Sequence, residues 1–72
     1  MNLLELGSEI KKLRKERGLT QAELATSVGI SRTTLSKLEN GYLAQLSIVV
    51  VNDVLNHLGY VIDIKPLNPF MN

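Results

Sequence analysis

The chain has 72 residues, no cysteine and a formal net charge of +1. This length suits one domain that buries about 60 per cent of its unfolded surface, and without cysteine a disulfide framework and thiolate metal sites are excluded. Hydrophobic residues make up 44% of the chain and aromatic residues only 4%, so we expect a small aliphatic core, reinforced by oligomerisation. The chain has no apolar run of the roughly 20 residues that a membrane span needs and no basic flank at its start, so we expect a cytoplasmic protein.

The charges are unevenly distributed along the chain. Residues 1–40 carry seven of the eight basic side chains against five acids, and residues 41–72 carry one basic side chain against two acids. We therefore expect a polyanionic partner to bind the first half of the chain, and the second half to make contacts of another kind.

A first helix is predicted by apolar residues at spacings of four and three, which place one buried stripe on a helix. The stripe consists of Leu6, Ile10 and Leu13. Asn2 and Ser8 can each serve as its N-cap, and Gly18 suits the left-handed conformation that closes a helix. The cations on its outer face have two interpretations, phosphate binding or a solvated charged surface. The second is favoured for most of them, and none is assigned to a binding site. They are Lys11, Lys12, Lys15 and Arg17.

Two short helices follow, joined by a tight turn. Residues 20–23, Thr-Gln-Ala-Glu, fit a capping box that opens a second helix running to about Ser27. Residues 28–30, Val-Gly-Ile, form the turn, and Ser31 caps a third helix that ends at Asn40-Gly41. Two such helices cross steeply, as in a helix-turn-helix unit.

A fourth helix is predicted between Ser47 and Gly59, because the apolar residues there recur at helical spacing rather than alternating. The inward positions are Ile48, Val51, Val54, Leu55 and Leu58.

Residues 60–65 alternate instead, which predicts a strand that Pro66 ends. One face of the strand carries Tyr60, Ile62 and Ile64. A lone strand cannot pair its own backbone groups, so we expect it to join the same strand of a second copy, antiparallel about a two-fold axis. The alternative is a frayed tail. The expected organisation is a helix-turn-helix domain at 1–59, a dimerisation strand at 60–66 and a flexible tail at 67–72.

The order of these features resembles the XRE family of phage repressor and Cro-like helix-turn-helix regulators. The resemblance is carried by residues 20–25, 28–31 and 35–41 and extends without a gap from about Leu6 to Leu58. It implies an all-α, lambda-repressor-like bundle of four to five helices, here extended by a C-terminal β-strand that pairs across a homodimer.

The third helix has the side chains that a major groove requires. Leu35 and Leu38 anchor it, and a polar face projects the other way. That face consists of Arg32, Thr33, Ser36 and Lys37. Arg and Lys donate to guanine, and Thr offers a hydroxyl and a methyl group. The alternative is that these residues only solvate an exposed helix.

The resemblance also implies roles for individual residues. It assigns base contacts to Arg32, Thr33 and Lys37 and a phosphate contact to Gln21, at the start of the second helix. It assigns a further backbone contact to Asn40. It implies a structural ion pair between Arg14 and Glu39, which fixes geometry more than it adds stability.

An enzyme is the competing class. His57 is the only histidine and follows Asp53 by four residues, a spacing typical of a contact along one helix. No metal-ligand spacing or glycine-rich phosphate loop appears in the sequence. We predict no catalysis, no cofactor and no metal.

The predicted function is sequence-specific binding of double-stranded operator DNA by a homodimer associated with the nucleoid. A short strand directly after Leu58-Gly59 resembles the small HipB-type antitoxins, which implies repression of the chain's own operon and a HipA-like kinase toxin as partner. The alternatives are a stand-alone phage-type or restriction-controller repressor, and a protein-interaction adaptor that does not bind DNA.

Overall fold

The computed structural model describes residues 2–42, 47–63 and 67, and all the regular structure in these ranges is helical. The chain forms α1 (Leu3–Glu16), α2 (Gln21–Val28), α3 (Arg32–Glu39) and α4 (Ile48–His57). The predicted helical bundle is thereby confirmed, with four helices in the described ranges. None of these helices is long and apolar enough to cross a membrane.

The start of α1 is decided by its capping side chain. Asn2 Oδ1 accepts a hydrogen bond from the Glu5 backbone N–H at 2.8 Å, whereas Ser8 lies inside the helix. The helix therefore begins three residues before Leu6, the first residue of the predicted stripe, and its first residues, Leu3 and Leu4, stay exposed.

The boundaries of α2 and α3 follow from local hydrogen bonds. Thr20 Oγ1 accepts from the Glu23 N–H at 3.0 Å, and Glu23 Oε1 accepts from the Thr20 N–H at 2.9 Å, which confirms the predicted capping box. The helix runs one residue further than expected, to Val28, and Gly29 then takes a left-handed φ of 85°. Ser31 Oγ accepts from the Thr34 N–H and so caps α3 as predicted.

The core is one aliphatic cluster at the centre of the bundle. Its buried members are Ile10, Leu13, Leu24, Ala25, Leu35, Leu38, Val51, Val54, Leu55 and Leu58. All four helices contribute to this cluster, and α3 packs against α1 and α2. From α3 only Leu35 and Leu38 belong to the core, and the opposite face of the helix takes no part in it.

The stripe predicted for α4 is correct except at its first residue. Ser47 caps the helix, and Val51, Val54 and Leu55 are buried, but Ile48 is 67% exposed. Ile48 occupies the first helical position, and the buried residues of α4 begin three residues later, at Val51. Helical spacing shows which side of a helix is apolar, but not how much of that side the neighbouring segments cover.

Gly7 allows α1 and α3 to approach closely. A Cβ atom at Gly7 would lie 2.8 Å from the carbonyl oxygen of Glu39 and closer still to that of Leu38. Any side chain would therefore push the middle of α1 away from the end of α3. The sequence reasoning assigned no role to this glycine.

The chain takes a left-handed conformation after α4 at Gly59, whose φ is 91°. Residues 60–63 have no strand pairing within the described chain, and Tyr60 and Ile62 are about half exposed, with relative exposures of 50% and 44%. Pairing with a second copy is therefore still a prediction. Ile64, the end of the strand at 66 and the tail at 68–72 lie outside the described residues.

Candidate nucleic-acid interface

The outward face of α3 is polar and open. Arg32, Thr33 and Lys37 are exposed and Ser36 is half-buried. These four side chains and Gln21 from the start of α2 line one open concavity. The structure therefore brings five of the six predicted DNA-binding residues together on one surface.

A buried ion pair lies directly behind this surface. Arg14 Nε donates to Glu39 Oε2 at 2.7 Å, and Arg14 Nη2 donates to Glu39 Oε1 at 3.1 Å. The third arm of the guanidinium, Nη1, donates to the Leu19 carbonyl oxygen at 2.7 Å. Arg14 and Glu39 are the residues that the family resemblance pairs. Their contact ties α1 and the loop before α2 to the last residue of α3.

Gln21 connects the buried pair to the exposed face. Its Nε2 donates to Glu39 Oε1 at 3.1 Å, and its Oε1 accepts from Arg32 Nε at 3.4 Å. Arg14, Glu39, Gln21 and Arg32 thus form one continuous chain of hydrogen bonds from the interior to the surface. This chain orients the Arg32 guanidinium before any ligand is bound, an arrangement that reduces the entropy lost on binding.

The sequence reasoning did not foresee that chain. It assigned Gln21 to a phosphate, but here both ends of its amide group are engaged within the protein. Residues 11 positions apart give no local signal of contact, because their meeting depends on how α2 and α3 cross.

Asn40 lies beside the concavity rather than in it. It is exposed and forms the C-cap of α3, where its Nδ2 donates to the Ser36 carbonyl oxygen at 2.8 Å. The same carbonyl oxygen also accepts from the Asn40 backbone N–H at 3.0 Å, so the side-chain amide adds a second hydrogen bond at the end of α3.

A second groove adjoins the first and brings in cations from α1. Lys11 and Lys15 line it together with Gln21 and Arg32. From the sequence, phosphate binding by these lysines was an open alternative, and a solvated outer face was the favoured interpretation. A usable signal was present nonetheless: neither lysine has an acid three or four residues away on the helix.

Two other ionisable side chains have local explanations. His57 Nδ1 lies 2.9 Å from the Asp53 carbonyl oxygen, so the expected contact along α4 is made to the backbone rather than to the carboxylate. The backbone N–H of Thr20, followed by its hydroxyl, lowers the pKa of the Glu23 carboxyl below its ordinary value of 4.5. In the described part of the chain, no group of three or more His, Cys, Asp or Glu side chains could hold a metal ion.

Comparison with known proteins identifies the family. A family model described as helix-turn-helix, HTH_3, matches residues 10–63. The chain belongs to the XRE-type helix-turn-helix family. It is 42% identical over 50 residues to an HTH-type transcriptional regulator of Methanothermobacter thermautotrophicus, covering 69% of this chain and 71% of that protein. The family match gives the chain a helix-turn-helix DNA-binding domain.

Two further relatives match over a shorter stretch. Antitoxin PezA of Streptococcus pneumoniae is 58% identical over 36 residues, and the ImmF control region 10 kDa protein of Bacillus phage phi105 is 54% identical over 37 residues. Each match covers about half of this chain. The matched stretches span 23% of PezA and 41% of the phage protein.

Proposed function

We propose that the chain binds an operator in its own promoter as a homodimer, represses its own operon and serves as the antitoxin of a kinase toxin. The observation that carries this proposal is the polar face of α3, which shares one concavity with Gln21 and is held from behind by a buried ion pair. In this role the protein acts in the cytoplasm, on the nucleoid.

Base recognition is assigned to the exposed face of α3. Arg32 and Lys37 have the reach and the donors to contact guanine O6 and N7. Thr33 and Ser36 supply shorter hydroxyl groups between them, and the Thr33 methyl group fits against thymine. Since Leu35 and Leu38 are fully buried, the helix enters the groove as a rigid unit.

Contacts to the DNA backbone are assigned to Gln21 and Asn40. Gln21 is the first residue of α2, and Asn40 directly follows α3, so the two lie at opposite ends of the helix-turn-helix unit. Contacts at these two positions would set the register of α3 on the duplex without reading its sequence.

Dimerisation is assigned to the segment after α4. Tyr60 and Ile62 present large apolar surface to solvent, and pairing of this segment with a second copy, including Ile64, would bury that surface and complete the backbone hydrogen bonds. Two recognition helices would then read half-sites about 34 to 36 Å apart.

The antitoxin role is supported by the similarity to a protein named antitoxin PezA. We assign a HipA-like kinase toxin as the partner, because a short strand directly after the helical domain resembles HipB-type antitoxins. The second candidate function is that of a stand-alone phage-type repressor, which the similarity to the phage control region protein favours.

The DNA-binding assignment is tested with Arg32→Ala and Lys37→Ala on the promoter fragment at fixed salt. Each lost base contact should cost about 1–3 kcal/mol, or roughly 5- to 150-fold in affinity, on the operator and much less on a scrambled duplex. Gln21→Ala should weaken binding to both duplexes through the lost phosphate contact, with a further loss on the operator because Gln21 also holds the Arg32 side chain. Unchanged affinity of the double Arg32→Ala, Lys37→Ala variant for the operator would contradict recognition by α3.

The antitoxin role is tested with the reading frame that adjoins this gene. Expressed alone, a kinase toxin should stop growth, and co-expression of this chain should restore growth and yield a complex on gel filtration. A neighbouring frame that is harmless when expressed, or whose toxicity this chain does not relieve, favours the stand-alone repressor.

A further inference from the structure

We propose that Lys11 and Lys15 on α1 bind backbone phosphates of the same DNA, so that the contact surface extends beyond the helix-turn-helix unit. This proposal rests on the proposed function and names an additional anchoring site for it. Neither lysine belongs to the recognition residues assigned above.

The position of the two lysines is the first argument. They lie one turn apart on α1, about 6 Å along its axis, and line the same groove as Gln21 and Arg32. A duplex that α3 enters would pass the mouth of this groove, because Gln21 and Arg32 belong to both the groove and the recognition concavity. Lysine is a flexible point charge and suits a phosphate better than a base edge.

The charge pattern on α1 is the second argument. Lys11 and Lys15 are four residues apart, an arrangement of like charges that destabilises an isolated helix. The residues three and four positions from each of them include no acid. Lys12 differs, since Glu9 and Glu16 lie within that spacing. An uncompensated pair of cations is relieved when a polyanion binds.

The third cation of α1 that lines this groove is not available for a ligand. Arg14 lines the same groove, but its guanidinium is buried and committed to Glu39 and to the Leu19 carbonyl oxygen. Lys11 and Lys15 are exposed and have no ion pair in the part of the chain that the structure describes. They are therefore the cations of α1 free to reach an anion across this groove.

The experiment compares the double variant Lys11→Ala, Lys15→Ala with Lys12→Ala by measuring DNA affinity at several salt concentrations. Each phosphate contact contributes about 0.9 to the slope of log K against log salt concentration. The double variant should lower the slope by about 1.8 per subunit and weaken operator and scrambled duplex by the same factor. Lys12→Ala should leave the slope unchanged, and Lys11→Arg with Lys15→Arg should restore it.

Two outcomes separate this proposal from the function on which it rests. If the wild-type chain binds its promoter and the double alanine variant has the same slope as Lys12→Ala, the α1 site is wrong and the role of α3 stands. If the wild-type chain binds no duplex at any salt concentration, the proposed function fails and the α1 site fails with it. Circular dichroism of each variant verifies that these exposed substitutions leave the fold intact.

Discussion

The helix-turn-helix unit and the C-terminal region of this small protein expose opposite kinds of surface. Across residues 20–40, none of the large apolar side chains is exposed, and the exposed residues are polar, charged or small. Across residues 47–63, five large apolar side chains are exposed. They are Ile48, Val49, Tyr60, Val61 and Ile62.

The two surfaces suit two different kinds of binding partner, although both are supported by the same hydrophobic core. The polar surface is preorganised by internal hydrogen bonds and suits a ligand that is itself charged. The apolar surface gains free energy only when another apolar surface covers it. A chain of this size has room for one core, so the two surfaces must share it, and the packing of α4 on α2 links them.

The largest effect is expected from removing one partner of the buried ion pair. Arg14→Leu should cost about 3–5 kcal/mol, because the Glu39 carboxylate is left buried and uncompensated. A chain of this length has on the order of 5 kcal/mol of net stability, so thermal unfolding followed by circular dichroism should show a largely unfolded protein. The double variant Arg14→Leu, Glu39→Leu should recover most of the loss. A single variant that melts like the wild type would show that the ion pair does not stabilise the packing of α1 against the end of α3.

The second effect tests the C-terminal region. Ile62→Asp should yield monomers in sedimentation velocity and lower operator affinity by about 10²- to 10⁴-fold, because a bivalent contact becomes monovalent. Val61→Asp is the matched control, since Val61 is 75% exposed and belongs to the other face of the predicted strand. A dimeric Ile62→Asp variant would refute pairing through this face.

A third prediction concerns the crossing of α1 and α3. Gly7→Ala should destabilise the fold by about 1–3 kcal/mol, because the added Cβ meets backbone carbonyl oxygens of α3. At an unconstrained helix position the same change would stabilise the fold by roughly 1 kcal/mol. The sign of the change in unfolding free energy therefore shows whether α1 and α3 are in contact at Gly7. The midpoint of urea unfolding measures the effect, with Ser8→Ala as the neighbouring exposed control. A raised midpoint for Gly7→Ala would mean that the two helices do not touch there.

The smallest effect is expected at the exposed capping box of α2. The lowered pKa of Glu23 means that its ionised form favours the folded state. This contribution is present above the ordinary pKa of 4.5 and is lost as the pH falls through the lowered value. Wild type should therefore melt higher than Glu23→Gln at pH 7, with the difference shrinking toward pH 3. A difference that is constant with pH would show that the charge of Glu23 plays no part.

Predictability differs between neighbouring residues for physical reasons. The caps at Thr20, Ser31 and Ser47 could be recognised because a capping hydroxyl and its N–H lie within three residues of each other. The exposure of Ile48 could not be recognised from the sequence, because it depends on whether another part of the fold covers the first turn of α4. The expected pairing of Arg14 with Glu39 came from family resemblance, since the two residues are 25 positions apart.

The candidate site shows the same division. Its α3 residues could be named from the sequence, because two buried leucines fix which side of so short a helix faces outward. The bridge of Gln21 between Glu39 and Arg32, and the place of Lys11 and Lys15 beside it, depend on the crossing of three helices.

By itself the sequence determined four helices, the N-caps of the last three, an aliphatic core and a polar third helix, since these follow from hydrogen bonds and apolar spacing within a few residues. Only the tertiary structure decided that Gly7 is a contact point, that one chain of hydrogen bonds runs from Arg14 to Arg32, and that the lysines of α1 adjoin the recognition surface. Such features arise where segments distant in the chain pack together, and their geometry is set by the whole core at once.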